Sequence, residues 1–224
     1  GAQVHGGDDL LRLILDLLDP ARVPAPTPER VPLPEDDPAG PGVLWRVLPG
    51  ATEATFVWTD TGPARLRSPA GQELTAGDQG VALRWRSVDG VQFVTLREPA
   101  PGPWRLFLPA PETADPRAFG ALHLRAPELP SRVHRGLQKR LAVALHAGAE
   151  PLRDPRILAA VRVSSHLEEP LGTLRALYVD PEPGPAGWTL LLDGIEVLGD
   201  HWLQLLVEGP TFTVAQHRPL IAEP

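Results

Sequence analysis

The sequence predicts an all-β fold of two β-sandwich modules, preceded by a short helix and a Pro-rich linker. Three observations carry that reading. From position 43 onward, short apolar runs recur at spacings of about ten residues, the rhythm of sandwich strands. Turn signals rich in Pro, Gly and Asp separate the runs, and the 224 residues include 28 Pro and 21 Gly. Within runs apolar and polar residues alternate, as in Leu83 and Trp85 against Arg84 and Arg86, so one face is buried and one is wet. With 42% hydrophobic and 22% charged residues there is material for a core, which excludes a disordered chain.

The elements follow in order. Residues 1–19 carry a predicted helix over 8–19: Asp8 and Asp9 offer an N-cap, and Pro20 stops the turn. Its leucines lie almost all round, broken by Arg12 and Asp16, so it needs burial on more than one side. The sandwich, an upstream neighbour or a second copy in a homodimer would each supply that cover. Residues 20–42 form the linker. Prolines at 20, 24, 26, 28, 32, 34, 38 and 41 remove amide donors and fix φ, so neither helix nor central strand is expected. A stiff extended spacer is favoured over a PxxP ligand for an aromatic groove.

The first module, 43–112, contains the runs 44–48, 55–59, 65–67, 81–86, 91–96 and 104–108. Asp89-Gly90 is a hairpin turn between two of them. The second module, 113–224, contains the runs 121–125, 157–163, 172–179, 188–192, 202–207 and 211–215. Residues 131–147 admit helix or strand, because Leu137, Leu141 and Leu145 recur at helical spacing while Leu141, Val143 and Leu145 also alternate. A strand over 139–146 is preferred in a sheet neighbourhood. The boundary falls within 109–118, where Pro109, Pro111 and Pro116 cluster.

A family resemblance rests on two stretches. They are Leu66-Arg67-Ser68-Pro69-Ala70-Gly71 and Glu98-Pro99-Ala100-Pro101-Gly102-Pro103-Trp104-Arg105-Leu106. Together they resemble the "sP-G … P-pG-W-l-v" frame of β-sandwich modules that follow von Willebrand factor A (VWA) domains in some bacterial proteins. The P-domain of proprotein convertases ends similarly. The second block is similar to the next module of such proteins, with Asp193-Gly194 in place of its Asp-Gly turn. The N-terminal leucines look like the last helix of a VWA domain. The resemblance implies Ig-like modules in the broad sense and a non-catalytic role in protein–protein interaction or spacing. It also implies an upstream VWA domain or another protein as partner, and leans towards the cell surface or periplasm, while the residues leave the cytoplasm open. The family's acidic "DDG…GD…DG" loop survives only as Asp193-Gly194 and Gly199-Asp200, which leaves Asp193 and Asp200 as weak calcium candidates. No DxSxS metal-adhesion motif occurs.

Composition narrows the chemistry. Without Cys there is neither a disulfide framework nor a thiolate metal site. Without Met, even at position 1, the chain reads as an internal fragment or a processed piece. Asn is absent and Lys139 is the single lysine, a bias expected of a GC-rich bacterial genome and compatible with thermostability. A net charge of −7 argues against nucleic acid as partner. No run reaches the roughly 18 apolar residues of a membrane span.

No catalytic constellation emerges, and no cofactor is expected. The histidines at 5, 123, 134, 146, 166, 201 and 217 form neither HxxxH nor HxH. Ser165 and His166 would point to opposite faces of a strand and cannot act as a dyad. The acids Asp8-Asp9, Glu35-Asp36-Asp37 and Glu168-Glu169 read as solvated charge. Arg132, His134, Arg135, Lys139 and Arg140 form the basic cluster, so Arg132, Arg135, Lys139 and Arg140 are candidate interaction residues, against a salt-bridged face as the plain reading. The 6 Trp could form a sugar-stacking platform, which makes a carbohydrate-binding module the second function class. A hydrolase assembled from distant residues is the third.

Overall fold

The computed structural model describes residues 26–33, 41–185 and 187–224. The helix expected over 8–19, and the homodimer contact built on it, lie outside these residues. The regular structure of the described residues is almost all strand, arranged in four sheets.

Strands β1 (Glu29–Val31), β2 (Gly42–Val47), β8 (Gly102–Phe107), β4 (Arg65–Arg67) and β5 (Glu73–Leu74) form sheet I in that spatial order. Sheet II runs β6 (Leu83–Val88), β7 (Val91–Arg97), β3 (Glu53–Thr59), β9 (Arg117–Phe119). Their inner faces share one core that includes Trp45, Phe56, Trp58, Trp85, Trp104 and Leu106. Trp58 and Trp85 meet edge to face, with ring centroids 5.5 Å apart, the arrangement their quadrupoles favour. The hairpin between β6 and β7 turns at Asp89 (φ 48°) and Gly90 (φ 74°), the paired left-handed residues of a tight turn that matches strand twist.

The second sandwich uses two more sheets. Sheet III places β12 (Lys139–Ala147) beside β10 (Leu122–Arg125), β13 (Glu150–Pro151) and β16 (Trp188–Leu192). Sheet IV runs β11 (Arg132–His134), β18 (Thr213–Glu223), β17 (Gly199–Glu208), β14 (Arg162–Glu168), β15 (Leu174–Leu177). Leu141, Val143, Leu145 and Trp188 from one sheet share a core with Leu167, Leu203, Leu205 and Leu220 from the other. Two short helices, α1 (Pro111–Ala114) and α2 (Pro155–Ala160), complete the described elements.

Several expectations are corrected. The run at 157–163 is not one strand: α2 takes its first part, and β14 starts only at Arg162. Asp154 caps α2, its carboxylate accepting from the Arg156 amide at 3.0 Å, and Pro155 fits the first turn because it needs no donor there. The Pro-rich segment is not all spacer. Between Pro28 and Pro32 three residues keep their amide donors, and they form β1 at the edge of sheet I, where proline is tolerated on either side. The strand expected over 211–215 runs on to Glu223. β9 lies beyond the 112/113 division expected from the sequence, yet it pairs with β3 in sheet II. The chain crosses from sheet II to sheet III between Phe119 and Leu122.

The two sandwiches are joined by apolar burial. β3 and β7 do not alternate: Ala54 to Trp58 and Phe93 to Leu96 are all buried. Phe56, Trp58, Val94 and Leu96 fill the first core, while Val57 and Phe93 belong to the apolar cluster of the second. Thr55 and Thr95 stand between them, their hydroxyls 3.0 Å apart. The Thr95 hydroxyl also lies 2.7 Å from that of Thr211, in the turn from β17 to β18. That turn is tight, closed by the Gly209 amide donating to the Phe212 carbonyl at 2.9 Å. A Cβ on Gly209 would fall inside contact distance of the Phe212 ring.

Gly209→Ala should therefore destabilise by about 1–3 kcal/mol through overpacking. Gly77→Ala, where the nearest side-chain atom lies 3.7 Å from an added Cβ, should stay within about 0.5 kcal/mol of the parent. Urea unfolding of both variants checks the contrast.

Candidate interaction faces

Two places on the surface combine shape with chemistry. The first is a cleft of about 710 Å³ where the sandwiches meet, lined by Thr59, Arg117, Phe119, Asp154 and Arg156 among others. Its wall is a charge lattice. Arg156 donates to the Asp154 carboxylate at 2.6 Å and to the Asp115 carbonyl at 2.9 Å. Asp115 in turn pairs with Arg117 at 3.2 Å. Asp115 ends α1 with φ 41°, a left-handed conformation that aspartate tolerates better than most residues. Burial alone would raise the Asp154 carboxyl; the hydrogen bonds and charge of Arg156, with Arg117 behind, outweigh it and hold the group below 3.8. The lattice spans the segment between the sandwiches and the cap of α2, so it braces the junction as well as lining the cleft.

The second place is the outer face of sheet IV. Trp202 is 41% exposed there, whereas the other five tryptophans are between 0 and 6% exposed. A stacking platform of several tryptophans, as the carbohydrate reading would need, is therefore not formed: five indoles are core. Trp202 lies between Glu168 on β14 and Pro219 on β18. The Gln204 amide donates to the Glu168 carboxylate at 3.3 Å and fixes it beside the indole.

The residues singled out in the sequence are placed as follows. Arg132 pairs with Glu223 at the C-terminal strand. Arg135 pairs with Glu196 at 3.2 Å, and Lys139 donates to the Glu128 carbonyl at 3.1 Å. Arg140 is exposed on β12. Arg132 thus stands on sheet IV, Lys139 and Arg140 on sheet III and Arg135 in the turn between them, and three of the four are tied to neighbours. Asp193 faces a guanidinium: Arg175 donates to its carbonyl at 2.7 Å and lies 3.6 Å from its carboxylate. A cation already stands at that turn. Asp200 sits exposed on β17 opposite Ile221. Among the described residues no three ligating side chains gather into a metal site. Ser165 is buried on the inner face of β14 and His166 is on the outer, so the pair does not meet.

One constellation escaped sequence reading. His123 and His146 are cross-strand partners on β10 and β12, with ring centroids 5.6 Å apart. Arg125 donates to His123 at 3.3 Å, and His146 donates to the Ala149 carbonyl at 3.4 Å. Burial, with the charge of Arg125, holds His146 below its ordinary value. Only strand register joins residues so far apart in sequence. Around the pair stand the Arg125 guanidinium, which donates to His123, and the Glu150 carboxylate, whose charge acts on His146 in the opposite sense to burial.

No family model matches the chain, and no curated protein matches it. Among solved structures, the filamin domain of Lin-41 aligns at 15% identity, covering 46% of this chain and 91% of its own, with a TM-score of 0.31. The I67–I69 fragment of titin aligns at 9% identity over 82% of this chain and 59% of its own, with a TM-score of 0.29. The titin domains Z1Z2 in complex with telethonin align at 12% identity over 88% of this chain and 96% of theirs, with a TM-score of 0.25. Scores this low carry no argument about function, and the all-β sandwich assignment rests on the sheets themselves. No helix among the described residues is long and apolar enough to cross a membrane.

The charge lattice makes a pH prediction. A carboxyl held below its unfolded value contributes stability above that value and loses it as pH falls through the folded one. Asp154→Asn keeps an N-capping side chain but removes the charge. The variant should melt below the parent at pH 7, and the gap should close as pH falls below 3.8. Thermal melts across that range read it directly.

Proposed function

We propose that this chain is a non-catalytic interaction and spacer unit, in which two sandwich modules with a changeover near Phe119 act as one rigid body. The observation that carries the reading is the burial of β3 and β7 on both faces. A flexible linker would let the modules swing. A shared apolar interface removes that freedom and fixes the distance between whatever binds at either end. On the finer scale we infer the setting that the sequence resemblance implies, beside a VWA domain in a bacterial protein of the cell surface or periplasm. The PGxW frame at Pro101-Gly102-Pro103-Trp104 supports that setting.

Because the chain lacks cysteine, spin labels can be placed at will. Arg46→Cys and Ala215→Cys put one label on each sandwich, at exposed strand positions. A single narrow distance distribution is expected between them, broadened when Thr211→Arg disrupts the junction. A broad distribution in the otherwise unaltered chain would contradict it. Ester or glycoside hydrolysis lost on His123→Ala would contradict the non-catalytic part.

A further inference from the structure

We infer that the outer face of sheet IV around Trp202 docks a cationic, amphipathic segment of a partner protein; this deepens the interaction reading and rests on it. Register places the outward side chains in rows. Leu174, Glu168, Trp202 and Pro219 form one row across four strands. Ala176, His166, Gln204 and His217 form the next. Asp200 lies two residues before Trp202 on the same strand and shares its face. The apolar strip continues past the end of the sheet. Leu171 is 90% exposed in the turn before β15, and Leu198 is 47% exposed in the loop before β17. The two segments are neighbours, since Pro170 lies 3.4 Å from where a Cβ on Gly199 would sit. Clustered exposure of this kind marks a contact surface rather than ordinary scatter.

Charge decides the occupant. Glu168 and Asp200 flank the indole, and Gln204 holds the Glu168 carboxylate in place. The arginines of this face stand at its corners: Arg162 at the far end of β14, and Arg132 tied to Glu223. The centre thus offers apolar surface with two carboxylates. A segment that alternates large apolar side chains with Lys or Arg complements it on both counts, and an indole face accepts a cation as well. A second copy docked by two-fold symmetry would set the same carboxylates against each other. A neutral glycan would use Trp202 and leave Leu171, Leu174 and Leu198 unfilled.

The test uses the whole chain and three probes. A short alternating Leu-Lys peptide, labelled with fluorescein, should bind saturably by anisotropy and quench the exposed tryptophan. Trp202→Ala should weaken binding about tenfold or more, as loss of an interface anchor does. Glu168→Gln with Asp200→Asn should weaken it and flatten its salt dependence, while circular dichroism confirms that each variant folds. Equal binding of a Leu-Glu peptide, or undiminished binding by Trp202→Ala, would overturn the proposal. Tryptophan quenching by cellohexaose without peptide binding would replace it with a glycan site. A dimer in light scattering that Trp202→Ala dissolves would replace it with a second copy. A narrow spin-label distance with no peptide bound removes this inference and leaves the rigid-body reading intact.

Discussion

Strands β3 and β7 must be buried on both faces, because one face fills the first core and the other carries the second sandwich. Such strands lose the usual freedom of an outer sandwich face, where polar residues meet water. The two threonines in the contact still need hydrogen-bond partners. They find them in each other and in Thr211, as buried hydroxyls cost about 1–3 kcal/mol when left unpaired. The β17–β18 turn that carries Thr211 folds its Phe212 ring over Gly209, where a Cβ would collide with it. Junction geometry therefore depends on a few small groups that a volume change would displace.

The outer faces divide the remaining labour. On sheet I, Phe107 is buried although it belongs to neither core. The guanidinium carbons of Arg65, Arg67 and Arg105 stand 5.1, 4.8 and 4.8 Å from its ring centre and cover it. Glu73 pairs with Arg65 and Arg67, and the hydrogen bond from Arg67 is the first of the influences that hold its carboxyl low. That face is sealed by its own residues. The face around Trp202 is not, and the contrast separates a protected surface from one open to a partner.

Much of the fold was legible in the sequence. Alternation in β6 and the Asp89-Gly90 turn mark a hairpin, and the alternation of Leu141, Val143 and Leu145 marks β12 as a strand against the helical leucine spacing. Strands β5, β9 and β13 were not legible, because two or three residues show no period, whereas β4, equally short, is marked by the Ser68-Pro69-Ala70-Gly71 turn that follows it. The helix at 155–160 was announced by Asp154-Pro155, yet its apolar residues read equally as strand. The junction left a trace too. Thr55 to Trp58 and Phe93 to Leu96 are unbroken buried runs beside strictly alternating β6, a pattern that marks burial on two faces. The His123–His146 pair and the setting of Trp202 left none, since both depend on cross-strand register.

Hydrogen exchange under rising urea tests the central claim most directly. If the two sandwiches form one rigid body, the amides of Phe93 in β7 and of Leu205 in β17 open together. They then share one opening free energy and one denaturant slope, with the Gly209 amide among them. Two separate slopes, with β17 opening while β7 stays protected, would show that the sandwiches fold independently and that the junction is a contact rather than a constraint.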